Sequence, residues 1–509
     1  MSTQHPDNAS PPPWGARVIA GDDEVREVVY AFRELGVEEQ MWDWEGKDVD
    51  PHVVRKLLEY APEFFSENVL GEGVRLTYRL PNPEEEHGER KVFVEALETI
   101  PLSADVAERF YGRPVAPVYE VILPLTRRAE QLIRVASYYR RAVVGKGSVV
   151  LDDGTLVEEW IGAFKPGSID VIPLLEDADT ILGLAGVLAP YVESFRPRLL
   201  RVFIARSDPA LNYGLVPATL LSAAALWELE AFSERHGVAV YPIIGAGPPP
   251  FRGHLEPRNV EKFLLVYGGY HTFTLQSAFK YDHPPGDVRR AVDRLRRAER
   301  VEPRPVDAGE LVPILRLMGE AYAERVVGLA GLLEKAAAAV PRRRARRLHV
   351  GLFGYSREGA GGVRLPRAIR FTAAMYSLGI PPEFLGLSAL ASLGEEQAAL
   401  VEELYPTLRH DLEAAGRWAC WDAVNLLLGE REVYERLVRP SGAGEALAGA
   451  VGDLRFAEDV LGVRVGPRSL GGYRYSNTVS SIVVSLAEGS VGEARRLVEE
   501  AAVMRRFLG

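Results

Sequence analysis

Seven short apolar runs recur along the first two thirds of the chain, and each ends in a polar or glycine-rich segment. They lie at 74–83, 118–126, 169–177, 199–209, 238–253, 272–282 and 347–362, and read, for example, VYEVILPLT and LLRVFIARSDP. Within a run the apolar residues follow one another instead of alternating with polar ones. A strand with one wet face alternates, whereas a strand covered on both faces does not. The pattern therefore predicts a parallel sheet buried on both sides. Helical stretches at 126–142, 210–235 and 287–299 separate the runs. Strands alternating with helices predict an α/β fold, here a (β/α)8 TIM barrel whose eighth strand is still to be placed. An open doubly wound sheet is the competing architecture.

Around this core the character of the chain changes twice. Residues 9–16 are proline-rich and predicted extended, followed by helices over 22–35 and 51–62. Beyond residue 365 the segments 366–379, 387–430, 437–449 and 479–506 are rich in Ala, Leu, Glu and Arg and read as helices. The stretch VGPRSLGGYRYSN at 465–477 reads as a glycine-punctuated loop. Three regions result: an N-terminal segment 1–16 expected to dock over the active site as a lid, a barrel core 17–365 with a helical insertion near 302–345, and a mainly helical region 366–509 completing the barrel's periphery and oligomer contacts.

Composition excludes several classes. With 47% hydrophobic and 26% charged residues, the 509-residue chain reads as an ordinary globular protein. A net charge of −11 gives no footprint for nucleic acid. No 18-residue apolar run is free of charge, so no membrane span is expected. The N-terminus lacks a basic-then-apolar signal, which makes the cytoplasm the expected location. The single cysteine, Cys420, rules out an intrachain disulfide and a cysteine-rich metal site. Arginine greatly outnumbers lysine; heat adaptation and genome composition both explain that, and the sequence does not separate them.

In a barrel, chemistry gathers where the strands' C-terminal ends meet. The polar residues following the runs are Arg79, Asn82, Glu120, Glu176, Asp177, Arg206, Asp208, Arg252, Gln276, Lys280, Ser356 and Arg357. A few acids among many fixed cations suit a divalent metal beside an anionic substrate. Glu176 and Asp208 can share a hard cation such as Mg2+, with Mn2+ as the alternative. Asp208 also suits a helix N-cap, because SDPA places a proline just inside the next helix. GAGPPPFRG is no nucleotide fingerprint, since its prolines lack the N–H groups that would cradle a phosphate; they stiffen the approach to Arg252 instead. In YSREGAGGVRLPRAIR, Gly361 and Gly362 let the backbone approach a ligand while Arg357 and Arg367 offer forked donors. Arg367 and Arg370 equally suit the water-facing start of a helix. VVGKGS at 143–148 lacks the first glycine of a P-loop, so no ATP site is expected there. His5, in STQHPDN, is either part of a frayed tail or an imidazole placed over anionic intermediates.

These segments together resemble phosphoenolpyruvate carboxylase, in its short archaeal form. STQHPDN is similar to that form's N-terminus, VIPLLED to the segment carrying a metal-binding glutamate, and IARSDPALNYG to the segment whose aspartate completes the metal site. GAGPPPFRG resembles the glycine- and arginine-rich loop of the long forms, QSAFKYD a segment with a Phe-Lys-Tyr core, and SREGAGGVRLPRAI the stretch with two substrate-binding arginines. The resemblance implies metal ligation by Glu176 and Asp208, and catalytic roles for His5, Arg252, Arg357 and Arg367. Arg79, Arg206, Gln276, Lys280, Ser356, Gly361 and Gly362 are the expected substrate contacts. It also implies phosphoenolpyruvate and bicarbonate as substrates, oxaloacetate and phosphate as products, and a homotetramer with contacts in the helical third. The long forms' loop histidine and first arginine fall here on Ile244 and Ala246, and a lysine near the metal-binding aspartate falls on Leu211. Arg79, Lys165 and Arg206 are the candidates to fill those vacancies. Another magnesium-dependent barrel lyase or aldolase acting on an enolate is the rival enzyme reading; a helical scaffold is the non-enzymatic one.

Overall fold

The computed structural model describes residues 1–47, 49–86, 90–345, 358–359 and 363–509. Its centre is a seven-stranded sheet, all parallel, with the strands in chain order. They are β1 (Glu39–Asp43), β2 (Arg75–Arg79), β3 (Glu120–Leu123), β4 (Asp170–Leu175), β5 (Leu199–Ala205), β6 (Ala239–Gly245) and β7 (Thr272–Phe273). Alternate residues face opposite sides, and both sides are apolar. On the concave side Met41, Ile122, Ile172, Leu174, Phe203, Ala205 and Ile243 form a small closed cluster with Met1. On the convex side Trp42, Val121, Val171, Leu175, Val202 and Ile204 pack under the surrounding helices. Coverage on both faces explains the unbroken apolar runs.

The sheet differs from the sequence reading at its ends. The first strand, EQMWD, is short and mixed in polarity, and periodicity alone passes over it. Its left-hand neighbour in space is the N-terminus. Ser2 N donates to Glu39 O at 2.7 Å and Met41 N to Ser2 O at 2.9 Å. On the other flank Leu275 N donates to Met1 O at 2.8 Å, Thr3 N to Leu275 O at 3.0 Å, and Met1 N to Phe273 O at 3.0 Å. Residues 1–3 thus lie between the sheet's two edges, bonded to both. The expected strand in 347–362 falls largely outside the described residues; Glu358–Gly359 and Val363–Arg364 pair there as a short antiparallel ladder.

A buried ionic cluster occupies the opposite end of the concavity. Arg201 donates to Glu39 at 2.8 Å and to Glu120 at 2.9 Å, and Thr77 donates to Glu39 at 2.5 Å. Glu120 opens β3 and does not follow it, so it lies away from the strands' C-terminal ends.

The remaining chain is helical and builds a second apolar core around the 31-residue helix Ala308–Ala338. The segment 465–477 is not a loop throughout: Ser469 caps a helix over Leu470–Ala487, accepting from Gly472 N at 3.1 Å. The serine satisfies a first-turn N–H that the two glycines would otherwise leave bare. One helix among the described residues, Leu215–His236, is long and apolar enough to cross a membrane, but 72% of its apolar window is buried inside the protein, as in a core helix.

Candidate active site

The C-terminal ends of the strands bring several of the expected polar residues to one rim. Asp43 closes β1 and Arg79 closes β2, directly opposite each other in register. Arg79 grips Asp43 with two bonds, 2.7 Å from Nε and 2.8 Å from Nη2, and reaches Glu45 at 2.8 Å. Lys47 pairs with Asp43 from the other side. All four side chains are buried. Burial by itself would raise the Asp43 carboxyl, but Arg79 and Lys47 hold it far below the carboxylate range. Burial likewise disfavours the charged Arg79, yet Asp43, Glu45 and Glu176 keep it firmly protonated.

His5 faces this group. Its Nδ1 lies 3.2 Å from Thr3 Oγ1, which is itself 3.4 Å from Leu275 O, so the imidazole hangs directly from the N-terminal residues that bridge the sheet. Burial, then the positive charges of Lys47 and Arg79, push its pKa well below the usual histidine value, against an opposing pull from Asp43. The imidazole is therefore neutral at neutral pH and free to accept a proton.

Glu176 follows β4 directly and is buried. Asp208 sits in the first turn of the helix Ser207–Tyr213 after β5, the neighbouring strand. Two carboxylates thus leave adjacent strands at the same rim. Asp177, next to Glu176, is spent on capping, accepting from Thr180 N at 2.9 Å.

Arg252 stands on a tight turn after β6. Gly247 N donates to Arg252 O at 2.7 Å and Leu255 N to Gly247 O at 2.9 Å, closing the turn. Gly253 has φ +110, and a Cβ there would come within 2.9 Å of the Ala246 Cβ, so only glycine fits. The Arg252 guanidinium donates to Ser207 Oγ at 3.0 Å, Asp7 Oδ2 at 3.3 Å, Gly509 O at 2.5 Å, and Gln276 Oε1. Burial weakens its hold on the proton, and Asp7 and Asp208 oppose that. Gln276 thus takes its place at the rim as a partner of Arg252.

Three expected contacts have other duties. Arg206 spends its donors on Tyr267 Oη (2.7 Å), Phe251 O (3.1 Å), Leu215 O (3.3 Å) and Thr219 Oγ1 (2.9 Å), fastening the Arg252 turn to the helix behind it. Lys280 is buried and donates to Glu27 (2.9 Å), Ser2 Oγ (2.9 Å) and Thr3 O (2.8 Å), so it anchors the N-terminal residues. Lys165 lies on the surface, paired with Glu108 at 3.0 Å. Arg367 is the N-cap residue of the helix Ala368–Ser377, which packs against the helix carrying Asp208. Ser356, Arg357, Gly361 and Gly362 lie outside the described residues.

The comparison with known families is decisive here: the family model described as phosphoenolpyruvate carboxylase matches residues 1–509. The chain belongs to the phosphoenolpyruvate carboxylase family. It is 44% identical to the phosphoenolpyruvate carboxylase of Metallosphaera sedula, over 100% of this chain and 99% of the relative. The same coverage holds for the phosphoenolpyruvate carboxylases of Caldivirga maquilingensis, at 44% identity, and Methanothermobacter thermautotrophicus, at 43%. Membership makes the chain a carboxy-lyase and places the rim just described in an enzyme. Asp43 and Lys47 lie outside the sequence-derived set because Asp43 closes a strand too short and polar to signal itself, and Lys47 follows it. The available signal was MWDWEGK: an acid closing a short apolar run, with a lysine one helical turn on.

Proposed function

We propose that this chain joins bicarbonate to phosphoenolpyruvate, giving oxaloacetate and inorganic phosphate. One observation carries the reading: two strand-end carboxylates, fixed guanidinium groups and a neutral imidazole share one rim of a curled parallel sheet. We read that sheet as a (β/α)8 barrel in which residues 1–3 fill the eighth position, supported by their bonds to both edges. On this reading the N-terminal segment is part of the wall and not only a cover.

Glu176 and Asp208 offer only carboxylate oxygens, the donor set that hard divalent cations take. Their neighbours Arg79 and Arg252 bear on them electrostatically, so the pair suits one shared ion better than several. Mg2+, or Mn2+, held there would supply positive charge against the carboxylate and enolate oxygens. Arg252, Arg357 and Arg367 are assigned to the phosphate and carboxylate oxygens, which a planar guanidinium meets with paired donors. For Arg252 this means exchanging some of its present acceptors for the ligand's.

The reaction then follows from these placements. A bicarbonate oxygen attacks phosphorus, the bond from phosphorus to the enol oxygen breaks, and carboxyphosphate and the enolate of pyruvate result. Neutral His5 accepts the carboxyl proton of carboxyphosphate, whose carbon–oxygen bond to the phosphate breaks to release carbon dioxide. The enolate's methylene carbon captures it. A water-excluding pocket matters, because a proton delivered to the enolate would yield pyruvate. Segment 366–509 is proposed as the periphery and as the source of contacts in a homotetramer.

The test is bicarbonate-dependent phosphate release from phosphoenolpyruvate, with and without Mg2+. A lyase or aldolase would release no phosphate. Asp208→Asn is expected to lower turnover and raise the Mg2+ requirement together; wild-type turnover at an unchanged requirement would remove Asp208 from the metal site.

A further inference from the structure

Behind the Arg252 turn, away from the strand-end carboxylates, His254, His410 and Asp411 present donor atoms that all lie within 4.8 Å of one another. His254 and Asp411 are buried and His410 is exposed. His254 comes from the turn after β6; the other two come from the helix Leu408–Gly416. We propose that these three residues form a second cation site, distinct from Glu176 and Asp208, that takes a transition metal of the zinc type and ties the Arg252 turn to the helical region.

Surrounding hydrogen bonds orient the donors of His410 and Asp411 inward. Asn259 Nδ2 donates to His254 O at 2.9 Å, which turns the amide so that its Oδ1 faces His410 Nε2 at 2.9 Å. A carbonyl oxygen only accepts, so His410 Nε2 must carry the proton. In the neutral imidazole the other nitrogen then carries the lone pair. Asp411 Oδ2 is occupied by Tyr405 Oη at 2.7 Å and Thr407 Oγ1 at 3.2 Å, which leaves Oδ1 for the cluster. Imidazole pinned through its far nitrogen and carboxylate pinned through its far oxygen are how proteins orient metal ligands.

The spacing agrees. The two imidazole centroids are 5.5 Å apart. Two histidines on one tetrahedral ion, with bonds of about 2.0–2.1 Å, place their ring centres about 5 Å apart. His254 Nδ1 and Asp411 Oδ1 sit 2.5 Å apart as a hydrogen-bonded pair. Two donors on a tetrahedral zinc are about 3.3 Å apart, so the pair opens by under ~1 Å as the ion replaces the proton. Two nitrogens and one carboxylate oxygen favour zinc-type ions over magnesium, which prefers oxygen alone. Of the three residues His410 alone lines a cavity, of about 630 Å³, beside Glu413 and Arg417.

The experiment is equilibrium dialysis of the intact protein against Zn2+ in saturating Mg2+, with bound metal counted by mass spectrometry. One zinc per chain is expected. His410→Ala, an exposed change that spares the core, should weaken binding at least tenfold, while Glu176→Gln keeps it. No stoichiometric zinc, or zinc held equally well by His410→Ala, would overturn the proposal. So would loss of the zinc in Glu176→Gln, which would assign it to the strand-end carboxylates.

Discussion

The N-terminal residues make a sharp prediction because a lid and a wall respond differently to removal. Five backbone hydrogen bonds tie Met1–Thr3 to the two sheet edges: Met1 N to Phe273, Ser2 N to Glu39, Met41 N to Ser2, Thr3 N to Leu275, and Leu275 N to Met1. At a net ~0.5–1.5 kcal/mol each, they contribute about 2.5–7.5 kcal/mol. Deletion of residues 2–8 also takes two acceptors from the buried ammonium of Lys280 and leaves it with Glu27. A typical net stability is ~5–15 kcal/mol. The deletion should therefore lower the melting temperature severely or yield no folded protein. His5→Asn, by contrast, keeps every one of those bonds and should melt near wild type while losing most carboxylation. Thermal melting by circular dichroism, paired with phosphate release, reads both arms. A deletion variant that melts like wild type but is inactive would show that the segment is a detachable cover and refute the wall reading.

Further outcomes test the charges of the rim and the floor. Lys47→Met removes the largest single charge that depresses His5, so the acid limb of the pH profile for kcat/KM should move to higher pH; an unmoved limb would separate Lys47 from His5. Arg201→Met leaves Glu39 and Glu120 buried without their shared cation, and should cost about 3–5 kcal/mol in urea unfolding. Glu39 itself is held down to about 2: burial raises it, and Arg201 more than offsets that. Its stabilisation is complete above the ordinary carboxyl range and is lost as pH falls toward 2, so acid unfolding should begin at higher pH in Arg201→Met; an unchanged acid midpoint would contradict the assignment. Arg367→Ala should raise KM for phosphoenolpyruvate with little change in melting, and normal saturation would remove Arg367 from the ligand.

Part of this protein is legible residue by residue. The runs that became β2 to β7 announce themselves because burial on both faces demands unbroken apolar sequence, and that demand is local. Glu176 and Asp208 are legible for the same reason: each stands just past such a run. Local pattern also misleads where it is thin. EQMWD is too short and too polar to signal a strand, so Asp43 and Lys47 went unseen, and LGGYRYSN looked like a loop because its cap, Ser469, does work that composition does not display.

What the chain's own order of residues determines is which segments become strands and which chemical groups end them. Which of those groups meet is decided only by folding. Lys280 and Arg206 are distant from their partners in one dimension, yet folding bonds one to the N-terminus across 278 residues and the other to the turn that carries Arg252. His5 lies at a chain end that periodicity treats as a tail; it gains its place through Thr3 and Leu275, and its neutrality from burial and then from Lys47 and Arg79. The reason is physical: periodicity records burial against whatever lies nearby, whereas pKa values and ion pairs depend on charges that only tertiary packing brings within a few ångströms.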